Sequence, residues 1–452
     1  MKSLTLFFCV LILTSCSLDN KTGLWKDASD ISINNKVVNT IKKNESKERY
    51  ENLSLTSEIF NKEVVSLNKS NFKLSTPTKI ENWLEQYGAK TNNISNFSYI
   101  GNKLLLSKSS KLGNLSSNKN LIFYENNLII SDQKGKIFIY SLGLKKKIFE
   151  FNFYKKKFKK FKKKVSLNVN NKILYVADNL GYLYAIDLNS KSLIWAKNYG
   201  IPFRSNLKFI DEQILLANQD NVIYSINAKT GEKNWQFATS PTFLKSDFKN
   251  NFVLDELNKN ILFLNTDGEL YSINYLSQKI NWVLNFKGAS IESDTELFLS
   301  QPIVLINDFF LISTESFLLS YNLVDGVKNW SFPSDTFLKP ILTNKYTYFL
   351  SKKNLIICLD NKSGKVLWSK NIYQDLTQKI KKKKIGNFID FKIANNELNL
   401  FSENGYLLSF DYSSGELEYI KRISKNGINS SIVFLKDNMF LIDNSNKLLK
   451  FN

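Results

Sequence analysis

From about residue 75 to the C-terminus, short apolar runs follow one another in pairs, alternating or continuous, with polar turns between them. One turn, with the runs it joins, recurs seven times as an eleven-residue phrase: small–x–Asp/Asn–x–x–polar–Gly–x–x–x–aromatic. Its clearest copies are residues 225–235 (SINAKTGEKNW), 358–368 (CLDNKSGKVLW) and 185–195 (AIDLNSKSLIW). Residues 272–282 and 320–330 keep the Asn and the Trp, while 409–419 and 139–149 carry Tyr and Phe in the Trp slot. The aromatics Phe149, Trp195, Trp235, Trp282, Trp330, Trp368 and Tyr419 therefore recur at the length of a propeller blade, roughly 40–50 residues.

Two β-prone runs joined by a short polar–Gly loop predict a hairpin. The Asp or Asn in the third position bonds its own backbone two residues on and starts the turn. Gly231, Gly326, Gly364 and Gly415 supply the positive φ that the turn demands. The aromatic on the returning strand is too large for one sheet and is expected to dock between blades, with the small first residue leaving room. A further pair of apolar runs precedes each hairpin, so the expected architecture is all-β, with four strands per blade.

The last copy is cut short: residues 448–452 (LLKFN) match the opening of the phrase and no aromatic follows. Residues 76–88 hold an unassigned Trp83, which nominates them as the outer strand of the last blade. Seven hairpins and one shared blade predict an eight-bladed propeller over residues 75–452, its ring closed by an N-terminal strand. Closure leaves no long exposed sheet edge.

The net charge of +21 invites a nucleic-acid partner, yet the basic residues are almost all Lys, with only Arg49, Arg204 and Arg422 besides. Nucleic-acid readers rely on the bidentate Arg fork, so no nucleic-acid partner is expected. The charge instead biases the chain toward anionic surfaces. Two Lys runs, residues 154–165 (YKKKFKKFKKKV) and 379–384 (KIKKKK), are solvated loops or footholds on anionic headgroups. There is no histidine, which removes His-based triads, His-ligated metals and the imidazole base. Asp220, Asp267 and Asp325 fall in hairpin positions and are expected to form turns.

Residues 1–15 have the form of a cleaved targeting segment: Lys2, then an apolar run at 4–13 that is too short to span a bilayer. Its ending, Leu13-Thr14-Ser15-Cys16, resembles a bacterial lipobox, which makes Cys16 the lipid-bearing first residue. Ser17 in the next position fits outer-membrane sorting. Cys9 leaves with the leader, so Cys358 remains as the single thiol, expected to be buried in a blade. Residues 16–74 are polar and form a tether, in which residues 45–67 make a short helix or dock on the ring. Residues 19–25 (DNKTGLW) echo 360–368 with two residues deleted.

The phrase resembles the AxDxxTGxxxW repeat of pyrroloquinoline-quinone-type eight-bladed propellers, which quinoprotein dehydrogenases and non-enzymatic scaffolds share. Lipobox, tether and single propeller together resemble the outer-membrane protein assembly factor B (BamB) family. The dehydrogenase branch is expected to carry a vicinal Cys pair and a calcium-ligand cluster, neither of which this sequence shows. The BamB resemblance implies a non-catalytic, cofactor-free scaffold on the periplasmic side of the outer membrane. It would be a monomer within a hetero-oligomeric complex, binding the barrel-inserting subunit and nascent outer-membrane proteins. Residues 202–207 stand where the family carries its partner-binding Arg, which places that role on Arg204 with Phe203 beside it. Residues 247–253 stand at the family's Asp-x-Asp loop; Asp247 matches the first Asp, while Lys249 replaces the second. A quinoprotein-like enzyme and a periplasmic sensor propeller are the alternatives.

Overall fold

The paired apolar runs become eight antiparallel sheets arranged as the blades of a propeller ring. The computed structural model describes residues 58–452 except 67–68, 116–119, 155–157, 159–160, 242–250, 287–297, 299, 375 and 377–379, plus four short strands before residue 58. With the blades numbered in chain order from the sheet that begins at Ile122 (blade 1) to the one that begins at Val433 (blade 8), blade 3 shows the plan, with strands Lys208–Ile210, Gln213–Ala217, Val222–Asn227 and Lys233–Ala238 in order from the axis outward. First strands of neighbouring blades approach one another, so they line the axis.

The repeated phrase is explained by its register. Its small residue and its aromatic are cross-strand partners: Ser225 faces Trp235, Cys358 faces Trp368 and Ser409 faces Tyr419. A β-bulge follows the small residue in each of these hairpins. The third-position side chain makes the expected turn, with Asn227 Oδ1 accepting from the amides of Lys229 and Thr230 at 2.9 and 3.0 Å. The aromatic then crosses to the next blade. Trp330 donates its indole N–H to the Asn361 carbonyl at 2.7 Å and lies over Gly364, where an added Cβ would stand 2.7 Å from the ring. Trp282 over Gly326 and Trp195 over Gly231 repeat the joint. Trp235 and Trp368 are buried in the same kind of joint, whereas Phe149 and Tyr419 are half-buried. Cys358 is free and fully buried, and burial pushes its thiol well above the usual range.

An N-terminal strand closes the ring, but it is Leu105–Lys108, which pairs antiparallel with Leu448–Phe451 of the last blade. The expected segment, residues 76–88, lies elsewhere. Trp83 is bridged to Phe123 on the first strand of blade 1 and packs on Gly88 and Phe97, at the axis. A lone Trp without its partner glycine in the next blade could not discriminate between these two positions.

The segment before the propeller is a belt. Asn39–Thr40 adds a parallel fifth strand to the outer edge of blade 3, and Glu48–Tyr50 does the same on blade 4. Phe60 bonds to Pro333 of blade 5, and Val64 exchanges two backbone bonds with Ser369 of blade 6. Tyr412 of blade 7 donates to the Phe72 carbonyl at 3.2 Å. Of the two expectations for residues 45–67, docking on the ring is therefore the one seen among the described residues. Trp25, the last residue of the echo, lies in the strand Trp25–Asp27, which pairs with Cys16–Leu18; residues 19–24 lie outside the described residues. No helix among the described residues is long and apolar enough to cross a membrane.

Candidate functional site

Antiparallel order puts the loops that lead into first strands on the same face as the turns between second and third strands. Arg204 stands in such a loop, ahead of Lys208–Ile210. Its amide donates to the Ala217 carbonyl at 3.0 Å, and its guanidinium donates to Gln219 Oε1 at 3.3 Å. Phe203 is buried between Tyr199 and Tyr224, at centroid distances of 5.6 and 6.2 Å, so it anchors the loop from inside. The blade thus presents Arg204 on a fixed backbone. Asp247 falls within 242–250, outside the described residues.

Both Lys-rich segments reach this face, ahead of the first strands of blades 2 and 7. The first turns partly inward: Tyr154 donates to the buried Asp178 at 2.5 Å, and Lys163 is buried over the Tyr154 ring. Phe161 points outward and is exposed. In the second, Lys382–Ile385 forms one helical turn whose lysines are exposed, with Lys382 over the Tyr373 ring. Carboxylates at the turns are structural acceptors. Asp178 takes the amides of Leu180 and Tyr182, and Asp325 takes that of Val327. Among the described residues no cluster of three Cys, Asp or Glu side chains could hold a metal ion.

The axis holds what the sequence did not reveal. Residues 78–100 run through it and touch all eight blades. Trp83 pairs with Phe123, Leu84 accepts from Val169, and Lys90 and Thr91 accept from Leu254 and Leu305. Asn92 donates to Phe252 and Ile303, and Asn93 donates to Leu342. Phe97 meets blade 7 at Ile393 and Asn395, and Ile80 accepts from Lys436 of blade 8. Blade 3 supplies Lys208, whose fully buried ammonium donates to Glu85 at 2.6 Å, Asn92 at 2.7 Å and the Ala89 carbonyl at 3.1 Å. Burial pushes Lys208 down and the Glu85 charge opposes it. The signal lay in Lys208 itself, a charge inside the apolar run of a first strand. In blade 7, Lys392 is 3.4 Å from Asp390, and Lys339, ahead of the first strand of blade 6, is pushed down to about 7 by burial and by the charge of Lys392.

Comparisons place this geometry among known propellers. A family model described as "Outer membrane protein assembly factor BamB" matches residues 150–370. The outer membrane protein assembly factor BamB of Moranella endobia (strain PCIT) is 20% identical over 298 residues, 62% of this chain and 72% of that protein. The crystal structure of BamB from Moraxella catarrhalis aligns with a TM-score of 0.60 at 11% identity, covering 77% of this chain and 99% of the other. A quinohemoprotein alcohol dehydrogenase of Pseudomonas putida HK5 aligns with a TM-score of 0.58 at 10% identity, covering 82% of this chain and 80% of the other. At such identities the solved structures speak for the fold alone.

Proposed function

We propose that this chain, which is similar to BamB propellers in sequence and fold, is a non-catalytic scaffold of the outer-membrane β-barrel assembly machinery. It is anchored through lipid on Cys16 to the periplasmic side of the outer membrane. It binds the barrel-inserting subunit and assists the folding and insertion of outer-membrane proteins. The observation that carries this reading is the filled axis: residues 78–100 occupy the place where eight first strands converge, which leaves recognition to the loops. Loops on a rigid frame suit protein contacts. Arg204, braced by Ala217 and Gln219, is the partner-binding residue and Phe203 holds its loop; Asp247 is assigned a partner contact from the sequence resemblance alone.

The test is co-purification from membranes. Arg204→Glu is expected to weaken recovery of the barrel-inserting subunit while the purified chain keeps its melting temperature; undiminished recovery overturns the assignment. Pyrroloquinoline quinone with Ca²⁺ is expected to leave the melting temperature unchanged. A rise with ligand concentration favours the quinoprotein reading instead, because a ligand that binds only the folded state stabilises it by mass action.

A further inference from the structure

Among the described residues, the belt covers outer edges on one side of the ring only. It adds strands to blades 3 and 4, bonds to the outer strands of blades 5 and 6, and meets the hairpin of blade 7. Blades 8, 1 and 2 follow without it. Their sheets end at Leu105–Lys108, Lys146–Phe151 and Ser192–Asn198, with no fifth strand among the described residues. An unpaired strand edge is a template for another strand; each of these three outer strands carries one bulge, as do the outer strands of blades 3 and 4, which accept a further strand all the same.

This gap is also where outer strands expose apolar side chains. Leu105, Leu106, Leu193 and Ile194 are 51%, 50%, 42% and 46% exposed, and Leu104 precedes them at 57%. No outer strand of blades 3 to 7 carries an exposed large apolar residue among those described. Beside Leu106 a groove of about 400 Å³ runs between blades 8 and 1. Its lining brings Lys108, Lys145, Lys436 and Lys450 against one carboxylate, Glu125; Lys108 is itself paired with Asp443.

We propose that the bare edges of blades 8, 1 and 2 are a docking surface for an extended segment of a partner protein. That segment has alternating apolar and acidic side chains and adds as a strand beside Leu105–Lys108. The belt shows that outer edges elsewhere on this ring accept strands, since blades 3 and 4 each take one from the chain itself. Strand addition supplies main-chain bonds, and alternate side chains supply the fit. The exposed Leu106, which lines the groove, meets an apolar side chain, and the lysines of the groove meet the carboxylates. The occupant's identity as a strand of an unfolded barrel rests on the scaffold reading, because barrel strands alternate in this way.

The test uses the full purified chain and a fluorescent peptide of about ten residues, the length of one barrel strand, alternating Leu or Val with Glu or Thr. Binding is expected by anisotropy, with none for the same peptide carrying prolines. Leu106→Asp, at an exposed position, is expected to weaken binding by about tenfold or more, the loss of a well-placed apolar anchor, with an unchanged circular dichroism spectrum. A photo-crosslinking residue at position 106 captures the peptide, and one at Leu257, exposed on the belted blade 4, does not. Equal capture at both positions, or undiminished binding by Leu106→Asp, overturns the proposal. So does a crosslink from position 106 to residues before 39, which would assign the gap to this chain's own N-terminus. Arg204→Glu leaves peptide binding intact, so failure of the scaffold reading and failure of the docking surface register separately.

Discussion

Single residues carry the blade joints, and their strength follows from what each touches. Replacing Trp235 by Ala is expected to cost about 3–5 kcal/mol in chemical denaturation, because a fully buried indole leaves a cavity that the joint cannot close. Gly364→Ala is expected to cost about 1–3 kcal/mol, since φ is +66° and the new Cβ meets the Trp330 ring at 2.7 Å. These residues were legible in the sequence: phrase, turn and glycine all announce themselves through local chemistry. Trp83 was not. Its identity was visible, but its neighbours come from strands far along the chain, and it found the axis instead of an outer strand.

At the scale of elements, the axial segment is pinned by one buried ion pair. Lys208→Met leaves the Glu85 carboxylate without its counter-charge in a nearly dry site, a loss expected at about 3–5 kcal/mol. The double variant Lys208→Met/Glu85→Gln is expected to recover much of it, because an exchanged pair leaves no orphaned charge. A thermal double-mutant cycle reads both. Lys339 adds a pH dependence. Its folded-state pKa of about 7 lies below its ordinary value of 10.5, so between these values the unfolded chain binds the extra proton. Stability is therefore expected to rise as pH increases from about 7 toward 10.5, with Lys208 shifted in the same direction. Denaturation of Lys339→Met across that window should show a shallower rise. The sequence marked Lys208 only as a charge in an apolar run; its partners Glu85 and Asn92 sit over a hundred positions away.

At the scale of the molecule, three uses of one N-terminal stretch hold the ring together: belt, axial segment and closing strand. A chain beginning at residue 76 keeps Leu105–Lys108 and is expected to stay folded and monomeric, with a lower melting temperature. A chain beginning at residue 109 loses that strand, leaves the edge of Leu448–Phe451 bare, and is expected to aggregate in size-exclusion chromatography. The same logic makes the unbelted edges of blades 8, 1 and 2 the surface most open to another strand.

By itself the sequence determined the blade: its length, its hairpin turn, its aromatic joint and the number of times it recurs. Those features are local, set by residues within eleven positions of one another, and local chemistry can be read without a fold. Only the tertiary structure decided which N-terminal segment closes the ring, which one fills the axis and which blades wear a fifth strand. These choices depend on edges and cavities that exist only once all eight sheets have assembled, where long-range burial and backbone pairing outweigh local pattern.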